Sequence, residues 1–305
     1  MENGRYNKLN EHLKKKYGER TLKVCIDGSF TCPNRDGKIS TGGCIFCSER
    51  GSGDHLKNVP IRKQVENHLN SYRGQRANKF IAYFQNYTNT YDSVENLKAK
   101  YDEALFDDRI VCLAVATRPD CITEEVASLL SNYKATHDVW VELGFQTADD
   151  EIGKVINRGY NSDVLKNAVS ILNKYKIETI IHIMIGLPGE TDETIDSTIK
   201  YLNALNYQGL KIHSTYVVDN TYLASLYKEG KYTPITLDYY IEKACYVLTH
   251  ISPDIIIHKI SGDAPKDILL APSWNLHKKW ILNGIDKHMN ENNLTQGMYY
   301  KIKGE

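Results

Sequence analysis

The chain has no excess of charge of either sign. Its 305 residues include 38 Lys and Arg against 38 Asp and Glu, so the formal net charge is zero. Because non-specific nucleic-acid binding draws on summed positive charge, this balance excludes a uniformly basic, histone-like binder and leaves only a local patch for any nucleic-acid contact. With 41% hydrophobic and 25% charged residues, the composition is typical of a soluble globular protein.

Long apolar runs are also missing. The longest, residues 180–187, is interrupted by His182 and is far shorter than the roughly 20 residues that cross a bilayer. Residues 1–20 are polar and lysine-bearing, without the apolar centre of a secretory signal. We therefore expect a cytoplasmic protein that does not enter a membrane and whose thiols stay reduced.

Linkers, repeats and low-complexity tracts are absent as well, and strand-like and helix-like patterns alternate instead. Alternation of this kind predicts parallel βαβ units. The predicted strands are residues 21–26, 79–85, 109–117, 139–145, 177–187 and 210–218, and the predicted helices are residues 61–72, 93–105, 123–133, 162–176 and 191–205. Ser93, Thr123 and Thr191 are predicted helix caps, each followed within three positions by Glu. The tail from about residue 236 holds a further helix pattern, a strand-like segment at 255–257 and a last helix near 274–290.

Polar residues are concentrated just after the predicted strands. In β/α barrels the chemistry sits on the loops that follow the strands, so these residues are expected to meet at one rim. They include residues 85–90 after the second strand, 117–120 after the third, Glu142 and Gln146 on the fourth, His182 and 186–190 on the fifth, and His213 on the sixth.

Three of the seven cysteines crowd into the loop after the first strand, as Cys32-x11-Cys44-x2-Cys47. An odd number of cysteines with three in one short segment argues against a disulfide framework and for a metal site. Gly37, Gly42 and Gly43 are expected to supply the positive φ angles that wrap this loop around a metal centre.

Three interpretations of the cysteines are open from the residues alone. They can be buried thiols, or they can bind a structural zinc ion with His55 as the fourth ligand. They can also hold a [4Fe-4S] cluster, which normally takes four Cys ligands, so that three leave one iron open to a small molecule.

The cysteine spacing and the segments around it resemble the radical S-adenosylmethionine (SAM) superfamily, in its Elongator-subunit-three-like branch and the YhcC/YtqA (MnmL-type) group. Phe46 stands at the aromatic position before the last cysteine. The matching segments span nearly the whole chain: Cys32-Pro-Asn-Arg-Asp-Gly37, Gly43-Cys-x2-Cys-Ser48, Gly51-Ser-Gly-Asp54, Tyr83-Phe-Gln85, Tyr87-Thr-Asn-Thr-Tyr91, Ala116-Thr-Arg-Pro-Asp-Cys121, Glu142-Leu-Gly-Phe-Gln-Thr147, Asn157-Arg158, Gly209-Leu-Lys-Ile-His213 and Ser261-Gly-Asp263. Too few residues remain for the acetyltransferase domain of the wider branch.

The resemblance implies an α/β fold, a partial (β/α)6 TIM-like barrel with a C-terminal α/β extension. The expected boundaries are 1–235 for the barrel, with the Fe-S loop at 30–50, and 236–305 for the extension. It implies a [4Fe-4S] cluster on Cys32, Cys44 and Cys47, with SAM on the open iron. The residues expected near SAM are Phe46, Tyr83, Gln85, Thr117, Glu142, Gln146, Arg158, His182, Met184, Gly186 and Leu187, with Arg158 pairing with the SAM carboxylate and the Gly186 turn presenting backbone to adenine.

The resemblance also implies a substrate, the wobble uridine of tRNA, whose 5-carboxymethylaminomethyl group would become 5-aminomethyl. The residues expected near the substrate are Tyr87, Asn89, Arg118, His213, Asp263, Lys23 and Arg35, with Arg118 or Lys23 meeting the substrate carboxylate. Tyr91 is expected on the rim, and Arg5, Lys14 to Lys16, Lys278 and Lys279 are expected as outer phosphate contacts to the anticodon loop. The electron donor would be a flavodoxin or a ferredoxin-type protein. Two alternatives stay open, a radical SAM enzyme acting on a small metabolite or porphyrin and a non-catalytic zinc-binding module.

Overall fold

The computed structural model describes residues 4–49, 51 and 59–301. The strands in these ranges are β1 Thr21–Ile26, β2 Lys79–Phe84, β3 Ile110–Thr117, β4 Asp138–Gln146, β5 Glu178–Ile185, β6 Gly209–Ser214, β7 Val217–Val218, β8 Ile256–Lys259 and β9 Leu269–Ala271. The α-helices are α1 Leu9–Tyr17, α2 Ile61–Leu69, α3 Val94–Ala104, α4 Glu124–Asn132, α5 Asp150–Val155, α6 Asp163–Lys174, α7 Asp192–Asn203, α8 Tyr222–Lys228, α9 Leu237–His250 and α10 Lys278–Glu291.

Seven parallel strands of the described chain curl into a half-barrel in the order β1-β2-β3-β4-β5-β6-β8. This confirms the α/β fold class and the partial TIM-like barrel. Each of the first six strands follows its predecessor in both sequence and space, because a helical crossover returns the chain to the start of the next parallel strand.

Two details of the predicted strands are wrong. The sixth predicted strand, residues 210–218, is two strands: β6 ends at Ser214, and β7 pairs separately and antiparallel with β9. The strand-like segment in the tail is a seventh strand of the barrel sheet, since β8 pairs with β6 in parallel. The predicted division at residue 235 stays a prediction, but the sheet itself extends past it.

The strands alternate between two apolar layers. Residues such as Val24, Phe84 and Leu143 point outward and pack with the surrounding helices in the main core. Their neighbours, such as Ile81, Cys112 and Trp140, point inward, because successive strand residues face opposite sides.

Helix α1 closes one end of the half-barrel. Leu9 and Leu13 pack inside it against Ile81 and Trp140, and Lys16 pairs with Asp138 at the first residue of β4 at 2.9 Å. The end at which the strands begin is therefore plugged, and the opposite end faces the loops that carry the cysteines.

The predicted helix caps are confirmed. Ser93, Thr123 and Thr191 accept hydrogen bonds from the backbone N–H three residues later. In α7 the Thr191 N–H donates in return to the Thr194 hydroxyl oxygen, which takes the place of a glutamate carboxylate in the capping box. No helix among the described residues is long and apolar enough to span a bilayer.

Candidate active site

The cysteine loop follows β1 and is held in shape by Arg35. The Arg35 guanidinium donates to the carbonyl oxygens of Cys47 at 2.7 Å and Ser48 at 2.8 Å. Its side chain lies against Gly43, where a Cβ atom would stand 2.8 Å from Arg35 Nε and where φ is 71°. The structure thus places Arg35 inside the loop rather than toward a substrate.

Glycine has only part of its predicted role in this loop. Gly37 and Gly43 adopt positive φ angles, of 97° and 71°, as a tight wrap requires. The expectation for Gly42 is wrong, because its φ lies outside that region.

Asn34 and Asn157 fasten the loop to the segment after α5. The Asn34 amide donates to the carbonyl oxygen of Asn157 at 2.6 Å and lies 3.7 Å from the sulfur of Cys44. In return, the Asn157 amide donates to the carbonyl oxygen of Gly43 at 2.7 Å. Sequence reasoning missed Asn34 as a site residue, although it stands two positions after Cys32 in a matching segment.

The environment of the thiols suits metal ligation. A hydrogen bond between the two thiols lowers the pKa of Cys44 to about 7 and raises the pKa of Cys47, and Arg118, Asn34 and Arg35 lower that of Cys44 further. Thiolates rather than thiols bind metals, and nearby cations favour the thiolate. No disulfide links any of the seven cysteines, all of which lie in the described ranges.

The donor set fits an iron–sulfur cluster. Cys32, Cys44 and Cys47 share one loop, and each is only partly buried, so their sulfur atoms are reachable. No group of three His, Cys, Asp or Glu side chains in the described part of the chain is arranged to hold a single metal ion. His55, the proposed fourth zinc ligand, and residues 52–54 of the matching segment lie outside the described residues.

A charged layer crosses the interior of the half-barrel below the cysteine loop. Its centre is Glu142 on β4, which is 0% exposed. Glu142 Oε1 accepts a hydrogen bond from Lys23 Nζ at 3.1 Å. Glu142 Oε2 accepts from the Tyr83 hydroxyl at 2.7 Å and from Lys211 Nζ. His182 Nε2 lies within hydrogen-bond distance of the same oxygen, at 3.0 Å. Glu142 and Tyr83, both expected near SAM, therefore bind one another in the interior. Lys211 was missed, because a lysine inside a strand is ordinarily assigned to the solvent face.

These contacts set the ionisation of the layer. Although burial opposes it, the pKa of Glu142 is held well below its usual range by Lys211, Lys23 and His182. Burial lowers the pKa of Lys211 to about 7. Burial and the charge of Lys211 together lower the pKa of His182 to about 4. Burial likewise lowers the pKa of His213, whose ring lies 5.4 Å from that of His182. Both histidines are therefore neutral at pH 7.

The end of β4 carries Gln146 in a backbone conformation that ordinary residues rarely adopt. Its φ is 69°, and the register between β4 and β5 shifts between Gly144 and Gln146. The side-chain Oε1 atom is buried without a hydrogen-bond partner among the described residues. A buried acceptor without a partner costs free energy, so this atom fits a ligand donor such as an amine or hydroxyl.

The turn after β5, whose place beside adenine stays a prediction, is held by internal hydrogen bonds. Gly186 donates its N–H to Glu190 Oε2 at 2.5 Å and accepts from the Tyr232 hydroxyl at 2.7 Å, while Ile235 covers the Cα. Leu187 is buried at the same place. Both backbone groups of Gly186 thus have partners within the protein.

Two arginines expected to bind ligands have internal partners. Arg158 is 0% exposed and donates to the carbonyl oxygens of Phe145, Thr147 and Tyr160 and to Asp150. Arg118 forms a bidentate pair with Asp120, with both distances 2.8 Å. The ligand-binding roles of the two arginines stay predictions, although Arg118 lies close enough to Cys44 to lower the pKa of its thiol.

Three rim residues are also held by the protein itself. Asn89 donates to the carbonyl oxygens of Phe84 and Ala116, and the Thr117 hydroxyl pairs with that of Thr90 at 2.6 Å. Asp263 pairs with Lys259 at 2.6 Å.

The remaining rim residues lie at the edge of the site. The Tyr87 hydroxyl donates to the carbonyl oxygen of Glu49, and its φ is 61°. Phe46 and Met184 are partly buried against a small apolar cluster that includes Leu187. Gln85 and Tyr91 are partly buried just after β2.

The expected phosphate contacts divide between the two ends of the barrel. Lys14 to Lys16 lie on α1, at the plugged end away from the cysteine loop, and Arg5 donates to Asn290 and Asn293. Lys278 and Lys279 are exposed at the start of α10, beside Trp280, whose exposed fraction is 56%. This second group follows Asn275, which contacts Ser214 at the end of β6 at 2.5 Å, and therefore lies on the rim side.

A family model described as the radical SAM superfamily matches residues 34–202, and one described as the radical SAM C-terminal domain matches residues 207–291. The chain belongs to the radical SAM superfamily. It is 35% identical to the protein YtqA of Bacillus subtilis (strain 168) over 302 residues, which cover 97% of this chain and 93% of YtqA. Radical SAM proteins bind a [4Fe-4S] cluster and SAM, so both cofactors follow from the family.

Two further similarities are to a tRNA uridine(34) acetyltransferase and to the fold of an archaeal Elp3. The chain is 30% identical to a tRNA uridine(34) acetyltransferase of Dehalococcoides mccartyi over 166 residues, 53% of this chain and 36% of that protein. The fold is similar to that of Elp3 from the archaeon Methanocaldococcus infernus, with a TM-score of 0.67, 18% identity, and coverage of 90% of this chain and 64% of that one.

Proposed function

We propose that this radical SAM enzyme modifies the wobble uridine of tRNA, converting its 5-carboxymethylaminomethyl group to a 5-aminomethyl group. The similarity to a protein named for action on tRNA uridine 34 supports the choice of substrate. The match lies within the radical SAM part of the chain and covers about a third of that relative. The similarity to that relative therefore concerns its radical SAM part.

Cys32, Cys44 and Cys47 would hold the cluster, and Gln146 would offer its buried acceptor to SAM. When bound, the two cofactors would supply a 5'-deoxyadenosyl radical for hydrogen-atom abstraction. Abstraction at the carboxymethyl carbon, followed by loss of one electron to the oxidised cluster, would leave a C=N bond. Its hydrolysis by one water molecule would release the two-carbon fragment as glyoxylate and leave the 5-aminomethyl group. The chain itself supplies the charged layer, whose central Glu142 is 0% exposed and thus kept from bulk water.

The observation that carries the proposal is the order in which residues of β4 lie between the plugged end of the half-barrel and its rim. Asp138 contacts α1 at the plugged end, Trp140 packs on the plug, Glu142 centres the charged layer, and Gln146 ends the strand at the rim. Helix α1 thus covers the layer from one end, and we expect a substituent to reach it from the rim that carries the cysteine loop. A narrow polar side chain on a base splayed out of an anticodon loop has this shape.

The rim near α10 suits RNA. Lys278 and Lys279 offer phosphate contacts, and the exposed Trp280 ring, stacked on His277 at 4.0 Å, offers a surface for a base. A local patch of this kind is compatible with a chain of zero net charge. We expect the enzyme to act in the cytoplasm and to receive electrons from a flavodoxin or a ferredoxin-type protein.

The test is nucleoside mass spectrometry after anaerobic incubation of the reconstituted holoenzyme with SAM, dithionite and tRNA rich in 5-carboxymethylaminomethyluridine. We expect this nucleoside to fall as the 5-aminomethyl nucleoside and 5'-deoxyadenosine rise, and a deletion strain to lack 5-aminomethyl-type nucleosides. Unchanged tRNA, in the tube and in the deletion strain, would remove this function. If 5'-deoxyadenosine still formed while the tRNA stayed unchanged, a radical SAM reaction on a small molecule would replace the tRNA reaction as the proposed function.

A further inference from the structure

The charged layer inside the half-barrel holds more lysines than carboxylates. Lys23 and Lys211 both bind the carboxylate of Glu142, so two ammonium groups share one anion. The neighbouring Lys259 has its own partner in Asp263, at 2.6 Å. Among the described residues of this layer, the pair Lys23 and Lys211 therefore shares a single carboxylate.

The two lysines differ in how far they reach the open part of the interior. The side chain of Lys211 is 6% exposed and also donates to the Tyr83 hydroxyl at 3.1 Å. The side chain of Lys23 is 24% exposed, and its ammonium lies 4.6 Å from the Tyr83 ring centre and 5.4 Å from that of Trp140. Lys23 is thus the more accessible member of the pair.

Lys23 also has donors to spare. An ammonium group has three N–H donors, and one of them is used by Glu142 within the described residues. The aromatic faces beside it stabilise the charge without using a donor. A desolvated cation with unused donors is a site for an anionic acceptor, because charge-assisted hydrogen bonds are the strong ones.

We propose that Lys23 and Lys211 form the subsite that binds the carboxylate of the substrate's carboxymethylamino group. The substrate carboxylate supplies a second anion and thereby favours the protonated form of Lys211, and Glu142 fixes the two lysines relative to one another. This subsite deepens the proposed function and rests on it. It also gives a reason for selectivity, since a uridine without the carboxymethyl group cannot supply this second anion.

The experiment measures binding without turnover. Fluorescence anisotropy of the holoenzyme with SAM, under anaerobic conditions and without reductant, compares two anticodon stem-loop RNAs that differ only in U34. One RNA carries the 5-carboxymethylaminomethyl group and the other carries the 5-aminomethyl group. We expect wild-type enzyme to prefer the first, and Lys23→Met to reduce this preference roughly ten-fold or more while binding the 5-aminomethyl RNA as wild type does.

Two further variants guard against effects of folding. Lys211→Met should reduce the same preference, and Glu142→Gln/Lys211→Met, which removes both charges of one pair, should reduce it in a protein without an uncompensated carboxylate. Lys243→Met is the matched control, because Lys243 is also a buried lysine in an ion pair, on α9 outside the barrel. It should keep the wild-type preference.

The outcomes separate the subsite from the function. If wild type converts the modified tRNA and Lys23→Met and Lys211→Met keep the full binding preference, the subsite is wrong and the function stands. If wild type neither converts the modified tRNA nor distinguishes the two RNAs, both are wrong. If all the lysine variants, including Lys243→Met, lose the preference together, the effect is structural and the subsite is also overturned.

Discussion

Glu142 and Lys211 form a buried ion pair at the centre of the half-barrel, between β4 and β6. The carboxylate is fully buried, and the ammonium is nearly so. Ion pairs in such positions gain stability only when further hydrogen bonds satisfy both groups, and here Lys23, Tyr83 and His182 complete the set.

The first prediction concerns the pH dependence of stability. Burial lowers the pKa of Lys211 from 10.5 to about 7. Between these values the unfolded chain binds a proton that the folded protein does not, so this lysine makes stability rise with pH from about 7 upward, by at most about 1.4 kcal/mol per pH unit. Lys211→Met should remove that rise.

The measurement is anaerobic urea denaturation of both proteins at pH 7, 8 and 9, with the difference between them plotted against pH. The charged or titratable groups that face Lys211 are Lys23, Tyr83, Glu142, His182, His213, His258, Lys259 and Asp263. Since these groups stay in both proteins, parallel pH curves would show that Lys211 keeps its ordinary pKa.

The second prediction concerns the cluster ligands. Cys44→Ala should abolish stoichiometric iron and sulfide binding after anaerobic reconstitution, and with it 5'-deoxyadenosine formation, because three thiolates are the minimum set for the cluster. Cys121→Ala is the control, since Cys121 lies after β3 on the same rim and burial raises the pKa of its thiol to about 12. Retention of wild-type 5'-deoxyadenosine formation by Cys44→Ala would remove the assigned ligand set.

The third prediction tests Arg158 as a structural residue. Arg158→Met leaves three backbone carbonyls without their donor, so the free energy of unfolding should fall by about 3 kcal/mol or more. Arg109→Met is the matched control, because Arg109 pairs with Asp107 at a side-chain exposure of 43% and should cost at most about 1 kcal/mol. Urea denaturation measures both.

Arg158 was expected to bind the SAM carboxylate, and the same variant decides this. Isothermal titration calorimetry of folded Arg158→Met protein with SAM should give the wild-type dissociation constant. Near-wild-type stability together with lost SAM binding would return Arg158 to its expected role.

The fold was predictable because its signals are local. Strand β1 has its predicted bounds, and the caps at Ser93, Thr123 and Thr191 make the bonds expected of them. Alternation along a strand and the 3.6-residue period of a helix are properties of neighbouring residues. The seventh strand was placed outside the barrel because β8 has four residues and a pattern shows no pairing partner.

The candidate site was predictable only in part. The rim was expected from polar residues after the strands, but many of those residues hold one another, as Arg118 holds Asp120 and Asn89 holds the backbone of Ala116. A residue type shows which contacts are possible and not which partner is used. Asn34 and Lys211 were missed for the same reason.

The sequence by itself determined the alternation of strands and helices, the cysteine spacing and the resemblance to the radical SAM superfamily, since all of these are patterns along the chain. Only the tertiary structure decided that Lys23, Tyr83, Glu142, His182 and Lys211, from five different strands, form one layer. It also decided that Arg158 is buried. Contacts between residues far apart in the chain depend on strand register and on the curvature of the sheet, and no short stretch of sequence encodes either.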